Sequence, residues 1–351
     1  MGLVVGSYGP LLEHLTRRFG VSLPIAGSII SVHFGGGLAG VLIAMRTLTT
    51  RPARQTVMVA LAVVGAGCAG VALAPTWPLF LAGILVIGFG FGALVIGLNQ
   101  LVAYSEGRRR TALINGLNGA YSAGAVIGPV LIAAFAATHF SLLFLLGGAA
   151  ALALTATASG MSGRLPVVAA ASGRPGRLVG IFILAFILYV AVENGAAGWI
   201  ASHVEHTGLS SAAAATTTSG FFLALAAGRL LIAVVPIRAS ESQIVLTGSV
   251  LATVALACAT VPAAAPVAYV VTGLCIAPIF PTGIVWLSKL RPGDHRATAW
   301  LYPAASIGGV AGPGLIGIVI GEFGLTWTPV VLAVFAVAMT AAFLSVRRSA
   351  A

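Results

Sequence analysis

The sequence alternates long apolar segments with short loops that carry most of its charged residues. It holds 18 Lys and Arg and seven Asp and Glu, and these cluster between the apolar segments. All segments but the first approach the roughly 20 residues that a helix needs to cross about 30 Å of hydrocarbon. The twelve segments are residues 1–15, 22–45, 56–74, 77–103, 112–136, 139–160, 177–202, 212–236, 242–261, 266–288, 297–320 and 325–346. The pattern predicts an all-α membrane protein with twelve transmembrane helices.

The overall composition excludes a soluble globular protein of this size. Of the 351 residues, 59% are hydrophobic and 7% are charged, and the mean hydropathy is +1.08. A soluble protein needs more polar residues than this to cover its exterior. The chain is therefore expected to be a multi-pass protein surrounded by a lipid bilayer.

The first apolar segment is shorter than the others, because about a dozen apolar residues separate Met1 from Glu13. We expect either a truncated or misassigned start or a partial first helix. The segment lacks the basic flank and the small-residue cleavage site of a signal peptide, so it is not interpreted as one.

Basic residues predict the orientation, because Lys and Arg next to membrane helices are retained on the cytoplasmic side. Alternate loops and the C-terminal tail carry Arg46, Arg51, Arg54, Arg108, Arg109, Arg110, Arg164, Arg174, Arg177, Arg238, Lys289, Arg291, Arg296, Arg347 and Arg348. The opposite set of loops holds Arg17 and Arg18. We therefore predict a plasma-membrane protein whose C-terminus lies in the cytoplasm. This topology accounts for the net charge of +11 without a nucleic-acid partner.

Two short sequences recur in the same order, which indicates an internal duplication. AGAVIGPVLI at 123–132 matches IGGVAGPGLI at 307–316 at a spacing of 184 residues, and GFGFGA at 88–93 relates to GLCIAP at 273–278 at a similar offset. We predict an N-terminal six-helix half at 1–160, a cytoplasmic linker at 161–176 and a C-terminal six-helix half at 177–351. The repeated structural motif consists of Gly124, Gly128, Pro129, Gly308, Gly312 and Pro313.

These features resemble the major facilitator superfamily of secondary transporters over essentially the whole chain. Further similar strings are GSYGPLLEHLTRRFGVS, ALINGLNGAYSAGAVIGPVL, FFLALAAGRLL and GLCIAPIFPT. LYVAVENGAAGW is similar to the seventh helix of fucose-permease-like sugar transporters. The resemblance implies alternating access between two helix bundles, a small-molecule substrate and protons as the coupling ion. A monomer without a cofactor is expected.

The loop after the second helix departs from the pattern of this superfamily. Its sequence LTTRPARQ keeps Arg51 and Arg54, which the resemblance assigns to a cytoplasmic gate, but Thr50 stands at the Asp position and Ala53 at the Gly position. Arg229, in AAGRLL, also resembles a gate-side arginine of the family. As a permanent charge inside a span, it must reach water, a carboxylate or backbone carbonyls.

Glu193 is the leading candidate for proton coupling, because an acid within an apolar span is costly unless it has a function. It lies about 5 Å from the middle of its helix. The alternative is a protonated glutamate that hydrogen-bonds to a neighbouring helix. Gly195–Gly198 would let the helix unwind or let a neighbour pack closely. Asn194 and Trp199 would then face the substrate, although Trp199 is equally expected as an interface anchor.

Other polar residues are candidates for a substrate cavity. His33, mid-way along the second helix, is expected either to relay protons or to be a buried neutral residue. Asn115, Asn118 and Tyr121 share one face of the fifth helix, where they would line a cavity or form interhelical hydrogen bonds.

The sequence contains no enzyme constellation, because GxSxG, HExxH and P-loop motifs are all missing. GFGFG at 88–92 is interpreted as a glycine face within a helix. Three cysteines without CxxC spacing argue against a disulfide framework and a zinc site, so no metal is expected. Three functions remain: sugar-like uptake coupled to protons, drug or metabolite efflux by antiport, and a truncated chain that does not transport. Gly124, Gly128 and Pro129 resemble the motif of proton antiporters without its trailing glycines.

Overall fold

The computed structural model describes residues 1–48, 50–103, 107–158, 176–234, 239–292, 297 and 300–350. At 99–103, 107–116, 118, 136–138, 233–234 and 350 the description is limited to the backbone. Across these ranges the regular structure is entirely helical. The helices are α1 Gly2–Phe19, α2 Leu23–Thr47, α3 Ala53–Leu73, α4 Trp77–Ala103, α5 Gly107–Ala158, α6 Arg177–His206, α7 Ser211–Val234, α8 Glu241–Cys258, α9 Ala265–Ile276, α10 Ile279–Leu290, α11 Leu301–Phe323 and α12 Thr328–Ala350, with a 3-10 turn at Leu325–Trp327.

These helices confirm the all-α membrane fold. In the described part of the chain, ten segments are long and apolar enough to cross a membrane. α5 contains the predicted fifth and sixth spans, and its backbone leaves the helical region at His139, with φ −129° and ψ 28°. The tenth span is divided into α9 and α10 at Ala277 and Pro278. The first helix has 18 residues and continues past the predicted segment to Phe19, a length of about 27 Å.

The chain forms two compact units. The first comprises Met1 and the described residues within Ser31–Tyr121 and Ala134–Ala170, and the second comprises those within Gly2–Ile30, Ser122–Ala133 and Ala171–Ala351. The two predicted six-helix halves stay a prediction. Apart from Gly176, the predicted linker at 161–176 lies outside the described residues.

Glycines allow α2 and α4 to pack closely in the first unit. A Cβ atom at Gly88 would meet the backbone of His33, and one at Gly92 would meet the backbone of Gly37. A Cβ at Gly90 would lie 2.8 Å from the carbonyl oxygen of Ala60 on α3. GFGFG is therefore a glycine face within a continuous helix, as the sequence predicted. The structure adds that each glycine lets a neighbouring backbone approach.

In the second unit, α6 is the helix around which the others pack. It contacts α1, α7, α11 and α12 along its length. Most of its residues from Tyr189 to Val204 are buried. Glu193 and Asn194 are intermediate between buried and exposed, and this polar break in a packed helix marks the candidate site.

Candidate substrate and proton site

The candidate site is centred on Glu193, which α6 and α7 together place beside two other polar side chains. Tyr189 and Glu193 are four residues apart on α6, so their side chains share one face of the helix. α7 packs against α6 and brings Arg229 to that face. Residues distant in sequence thus form one polar cluster within the second unit.

The three side chains form a closed hydrogen-bonded triangle. Arg229 Nη2 lies 3.1 Å from Glu193 Oε2 and 3.2 Å from Glu193 Oε1. The same nitrogen donates to the Tyr189 hydroxyl over 3.2 Å, and that hydroxyl donates to Glu193 Oε2. Tyr189 is fully buried, whereas 18% of the Glu193 side chain and 30% of the Arg229 side chain are exposed. The two charged side chains are therefore partly exposed at the surface of the protein, whereas the tyrosine is not.

This arrangement places a group that can bind or release a proton inside an apolar region. The guanidinium stays protonated, so the carboxyl group of Glu193 is the member of the pair that can gain or lose a proton. An ion pair in a low-dielectric region is tolerated when both charges are matched and hydrogen-bonded, and losing one partner leaves the other charge uncompensated. Any change at Glu193 must therefore affect Arg229.

An aromatic cluster fixes the position of Tyr189. Its ring centroid lies 6.1 Å from that of Phe186 on α6 and 6.2 Å from that of Phe280 on α10. Phe280 follows the Ala277–Pro278 break in the tenth span. Because these rings hold Tyr189 in place, its hydroxyl can orient the Glu193 carboxylate.

The small residues after Glu193 serve close packing, because α6 remains continuous from Arg177 to His206. A Cβ at Gly195 would lie 2.6 Å from Ile316 Cδ1, and one at Gly198 would meet the side chain of Ile30. A Cβ at Gly9 of α1 would lie 2.7 Å from the carbonyl oxygen of Ala197. Of the two alternatives, unwinding and packing, the structure has packing. The seventh span is therefore not interrupted, whereas the tenth span is divided between α9 and α10.

Trp199 is fully buried in a slot between α2 and α11. Its indole nitrogen donates to the carbonyl oxygen of Pro313 over 3.1 Å. A Cβ at Gly27 would meet its six-membered ring, and one at Gly317 would lie 3.2 Å from Trp199 Cζ2. Stacking of Trp199 on a substrate therefore requires that α2 or α11 first move away from this ring.

Asn194 is partly exposed beside Glu193. Its Nδ2 group donates to the carbonyl oxygen of Val190 over 3.3 Å within the same helix. The carbonyl of the amide still offers an acceptor to a substrate. A substrate contact at Asn194 stays a prediction.

The remaining cavity candidates belong to the first unit. His33 is fully buried, and its ring centroid lies 5.4 Å from that of Phe34 and 5.3 Å from that of Phe91. Tyr121 is partly exposed and stacks with Phe91 at 6.4 Å. The side chains of Asn115 and Asn118 lie outside the described residues. The structure thus brings Glu193, Arg229 and Tyr189 together and places His33 and Tyr121 in the other unit.

The three gate candidates fall into two groups. Arg51 and Arg54 are exposed, at the start of α3 and just before it. Arg229 instead pairs with the carboxylate of Glu193. A carboxylate was one of the three partners expected from the sequence, beside water and backbone carbonyls. The pairing of Arg229 with Glu193 was not predicted, and the gate roles stay predictions.

The repeated Gly-Pro motifs make equivalent helix contacts. On α5, a Cβ at Gly124 or at Gly128 would lie 2.6 Å from backbone atoms of Leu3 on α1. On α11, a Cβ at Gly312 would lie 2.5 Å from Cα of Ala191 on α6, and one at Gly308 would meet the backbone of Ile187. Pro129 and Pro313 lie inside their helices. Each motif thus packs its own helix closely against one other helix, α5 against α1 and α11 against α6.

Two buried tyrosines were missed by the sequence reasoning. Tyr189 could have been found from its spacing of four residues to Glu193. Tyr269 on α9 forms a buried hydrogen bond of 3.0 Å between its hydroxyl and His203 Nδ1 on α6. No sequence signal connects these two residues, because the contact depends on how α9 packs against α6.

The described residues contain no group of three His, Cys, Asp or Glu side chains that could hold a metal ion. The three cysteines are unbridged: Cys68 is buried, Cys275 is intermediate and Cys258 is exposed. The ionisable chemistry of the site therefore rests on Glu193, Arg229 and Tyr189.

Comparisons with known proteins agree with the fold. The chain is similar to the structure of a bacterial homologue of the human lysosomal transporter Spinster, in an inward-facing and occupied conformation, with a TM-score of 0.76 and 15% identity over 99% of this chain and 94% of that one. It is also similar to a POT family transporter in complex with a thioalcohol-conjugated peptide, with a TM-score of 0.81 and 13% identity over 99% and 94% of the two chains. The nucleoside transporter NupG gives a TM-score of 0.76 and 14% identity over 98% and 96%.

At these identities, the structural similarities establish the fold alone. A search of curated protein sequences gives no significant match. The sequence pattern of the Major Facilitator Superfamily matches residues 1–176, which is half of the chain. The pattern describes membrane transporters and not enzymes. The chain belongs to the Major Facilitator Superfamily.

Proposed function

We propose that the protein is a proton-coupled secondary transporter that moves a small, sugar-like organic solute across the plasma membrane by alternating access. The observation that carries this proposal is the partly exposed ion pair between Glu193 and Arg229. Ionisable groups in transmembrane helices typically mark ion or substrate pathways. In this proposal Glu193 carries the coupling proton, and Arg229 and Tyr189 hold its carboxylate between cycles.

The two predicted six-helix halves supply the alternating motion in this proposal. Transporters built from repeats bind near the middle of the membrane and expose the site to each side in turn. The C-terminus is cytoplasmic and the transporter acts as a monomer. The similarity of LYVAVENGAAGW to fucose-permease-like transporters supports a solute of the sugar class.

Efflux by antiport is the second candidate function. It is favoured by the contacts of Gly124 and Gly128 with α1, since the Gly-Pro motif that they form resembles that of proton antiporters. The two functions differ in the direction of coupling. Acidifying the outer solution drives solute accumulation in uptake and solute extrusion in antiport.

The test replaces Glu193 in the full-length chain reconstituted into liposomes. A thermal-shift screen of sugars, sugar acids and amino acids first identifies a solute. Glu193→Gln should abolish accumulation driven by a pH gradient and spare counterflow exchange, because the amide keeps the shape of the carboxyl group but cannot bind and release a proton. Glu205→Gln, on the same helix, is the matched control and should retain both activities.

An unchanged pH dependence in Glu193→Gln would remove Glu193 from the coupling role. Absence of flux for every solute in the panel, with correctly folded protein, would instead favour a non-transporting member of the superfamily.

A further inference from the structure

The part of α6 between Glu193 and its outer end is buried on every face. All ten residues from Gly195 to Val204 are buried, a length of about 15 Å along the helix. In the predicted orientation, α6 runs from the cytoplasm at Arg177 to the outer side at His206. A solute that arrives from outside therefore meets packed protein before it reaches Glu193.

We infer that Trp199 is the outer gate residue of the candidate site, and that this gate is closed in the structure. The ring of Trp199 fills the space between α2 and α11 and closes the route from outside to Glu193, which lies about 9 Å deeper along α6. The inference rests on the proposed function and deepens it, because it names the contact that must open in each transport cycle. The outer gate consists of Pro24, Gly27, Trp199, Gly317 and Gly321.

Two helices enclose the Trp199 ring, and neither leaves room for a side chain. A Cβ at Gly27 on α2 would overlap the six-membered ring, and one at Gly317 on α11 would lie 3.2 Å from Trp199 Cζ2. The indole nitrogen donates to the carbonyl oxygen of Pro313 on α11 over 3.1 Å. The ring is therefore fixed to α11 and fits into α2 only because residue 27 is glycine.

A second contact joins α2 to α11 nearer to their outer ends. A Cβ at Gly321 would lie 3.8 Å from Cβ of Pro24, and one at Gly317 would lie 3.6 Å from the carbonyl oxygen of Pro24. Pro24 is the second residue of α2, and Gly321 lies two residues before the end of α11. Pro24 and Gly27 share one face of α2, and the two glycines share one face of α11. These two faces lie against each other and cover Trp199.

The outer ends of α6 and α12 contain two buried hydroxyl groups that water would hydrogen-bond if the gate opened. Oγ of Ser202 on α6 and Oγ1 of Thr328 at the start of α12 are buried without a hydrogen-bond partner among the described residues. Burying a polar group in this way is costly. Water that enters when α2 and α11 move apart would recover part of that cost, which offsets some of the packing lost at Trp199.

A disulfide between α2 and α11 tests whether the outer gate must open. The Cβ positions of residues 24 and 321 lie 3.8 Å apart, which matches the mean separation of about 3.8 Å in protein disulfides. The double variant Pro24→Cys with Gly321→Cys is made in a full-length chain whose natural cysteines, Cys68, Cys258 and Cys275, are replaced by alanine. Oxidation should crosslink the two helices, which the loss of free thiols measures.

We expect the crosslink to abolish uptake into proteoliposomes of the solute found by thermal shift, and to stop counterflow exchange, because both require the gate to open. Reduction with dithiothreitol should restore both activities. Glu193→Gln instead spares exchange, so the two defects are distinguishable. The single variants Pro24→Cys and Gly321→Cys, oxidised in the same way, are the controls and should keep the activity of the cysteine-free chain.

A second measurement needs no solute and reports the access from outside directly. Ser202 lies three residues from Trp199 on the same face of α6, so Ser202→Cys in the cysteine-free chain is a probe placed behind the gate. In intact cells, a membrane-impermeant methanethiosulfonate should modify it slowly. Gly27→Leu should raise the rate about tenfold, which corresponds to about 1.4 kcal/mol and lies within the cost of overfilling a packed site. Gly180→Leu, whose added side chain starts in open space, should leave the rate unchanged.

Failures of the inference and of the proposed function give different results. A crosslink that forms without loss of flux would overturn the inference and leave the transport function standing. Equal modification of Ser202→Cys with and without Gly27→Leu would also overturn it, as would a faster rate in everted vesicles alone. An absence of flux in the unchanged chain for every solute would overturn the proposed function instead, while the modification rates would still report whether the gate opens.

Discussion

At the scale of single residues, the pairing of Glu193 with Arg229 decides the chemistry of the site. Each charge is costly in an apolar region when alone, and each is tolerated because the other lies 3.1 Å away. Tyr189 adds a hydroxyl that contacts both. The acid on α6 and the arginine on α7 thus form one ion pair, and a change to either residue also affects the other.

We predict that the two charges stabilise the fold only as a pair. Glu193→Gln and Arg229→Gln should each lower the free energy of unfolding by about 2 kcal/mol, because the remaining charge loses its partner while staying partly exposed. The double variant should be less destabilised than the sum of the two. Unfolding in detergent, followed by circular dichroism, measures these changes.

The control for this cycle is the ion pair between Lys289 and Glu241, whose side chains are 63% and 27% exposed. The same substitutions there should show a coupling of about 0–1 kcal/mol, as for exposed ion pairs in general. Equal coupling in the two pairs would contradict a special role for burial at Glu193.

At the scale of helices, glycines set how closely the elements of the second unit approach. The motif on α5 packs against α1, and the motif on α11 packs against α6. Trp199 occupies the slot beside Gly27 and Gly317 and donates to Pro313. In membranes small residues bring helices together because dispersion and hydrogen bonding, rather than exclusion of water, drive association.

We predict that Gly27→Leu destabilises the protein by about 1–3 kcal/mol, because its side chain would occupy the space of the Trp199 ring. Gly180→Leu is the matched control on α6, since a Cβ at Gly180 meets no atom within 4 Å. Thermal unfolding of both variants measures the difference.

A second substitution tests the cause of this loss. Adding Trp199→Ala to Gly27→Leu should recover part of the stability, because the smaller residue makes room for the leucine. Strictly additive losses from the two substitutions would show that Gly27 acts elsewhere than on the Trp199 ring.

At the scale of the whole molecule, basic residues concentrate in alternate loops along the chain. Arg46 lies in the last turn of α2, Arg51 just before α3 and Arg54 at its start, and Arg347 and Arg348 end α12. Lys and Arg near helix ends are retained in the cytoplasm. The loops that carry these basic residues, and the C-terminus, are therefore expected on the cytoplasmic side.

Reporter proteins fused to the chain in cells test the predicted orientation in the membrane. A fluorescent protein after Ala351 should fluoresce in the cytoplasm, and alkaline phosphatase inserted after Gly208, between α6 and α7, should be active outside. The same phosphatase inserted after Ala239, between α7 and α8, should be inactive. The reverse pattern of phosphatase activities would show that the charge rule fails for this chain.

The sequence by itself determined the all-α membrane fold and the position of GFGFG inside a helix. These follow from hydropathy and segment length, which act locally along the chain. Glu193 was singled out for the same reason, because a charge in an apolar span is conspicuous without any knowledge of its neighbours.

Only the tertiary structure decided what surrounds Glu193. Arg229 is 36 residues away in sequence, and hydropathy alone does not show which helix faces meet. The choice between unwinding and close packing at Gly195–Gly198 depended on the neighbours Ile30, Ile316 and Gly9. The sequence located the acid, and the packing of α7 against α6 gave it a cation, because long-range contacts are set by how the helices fit together.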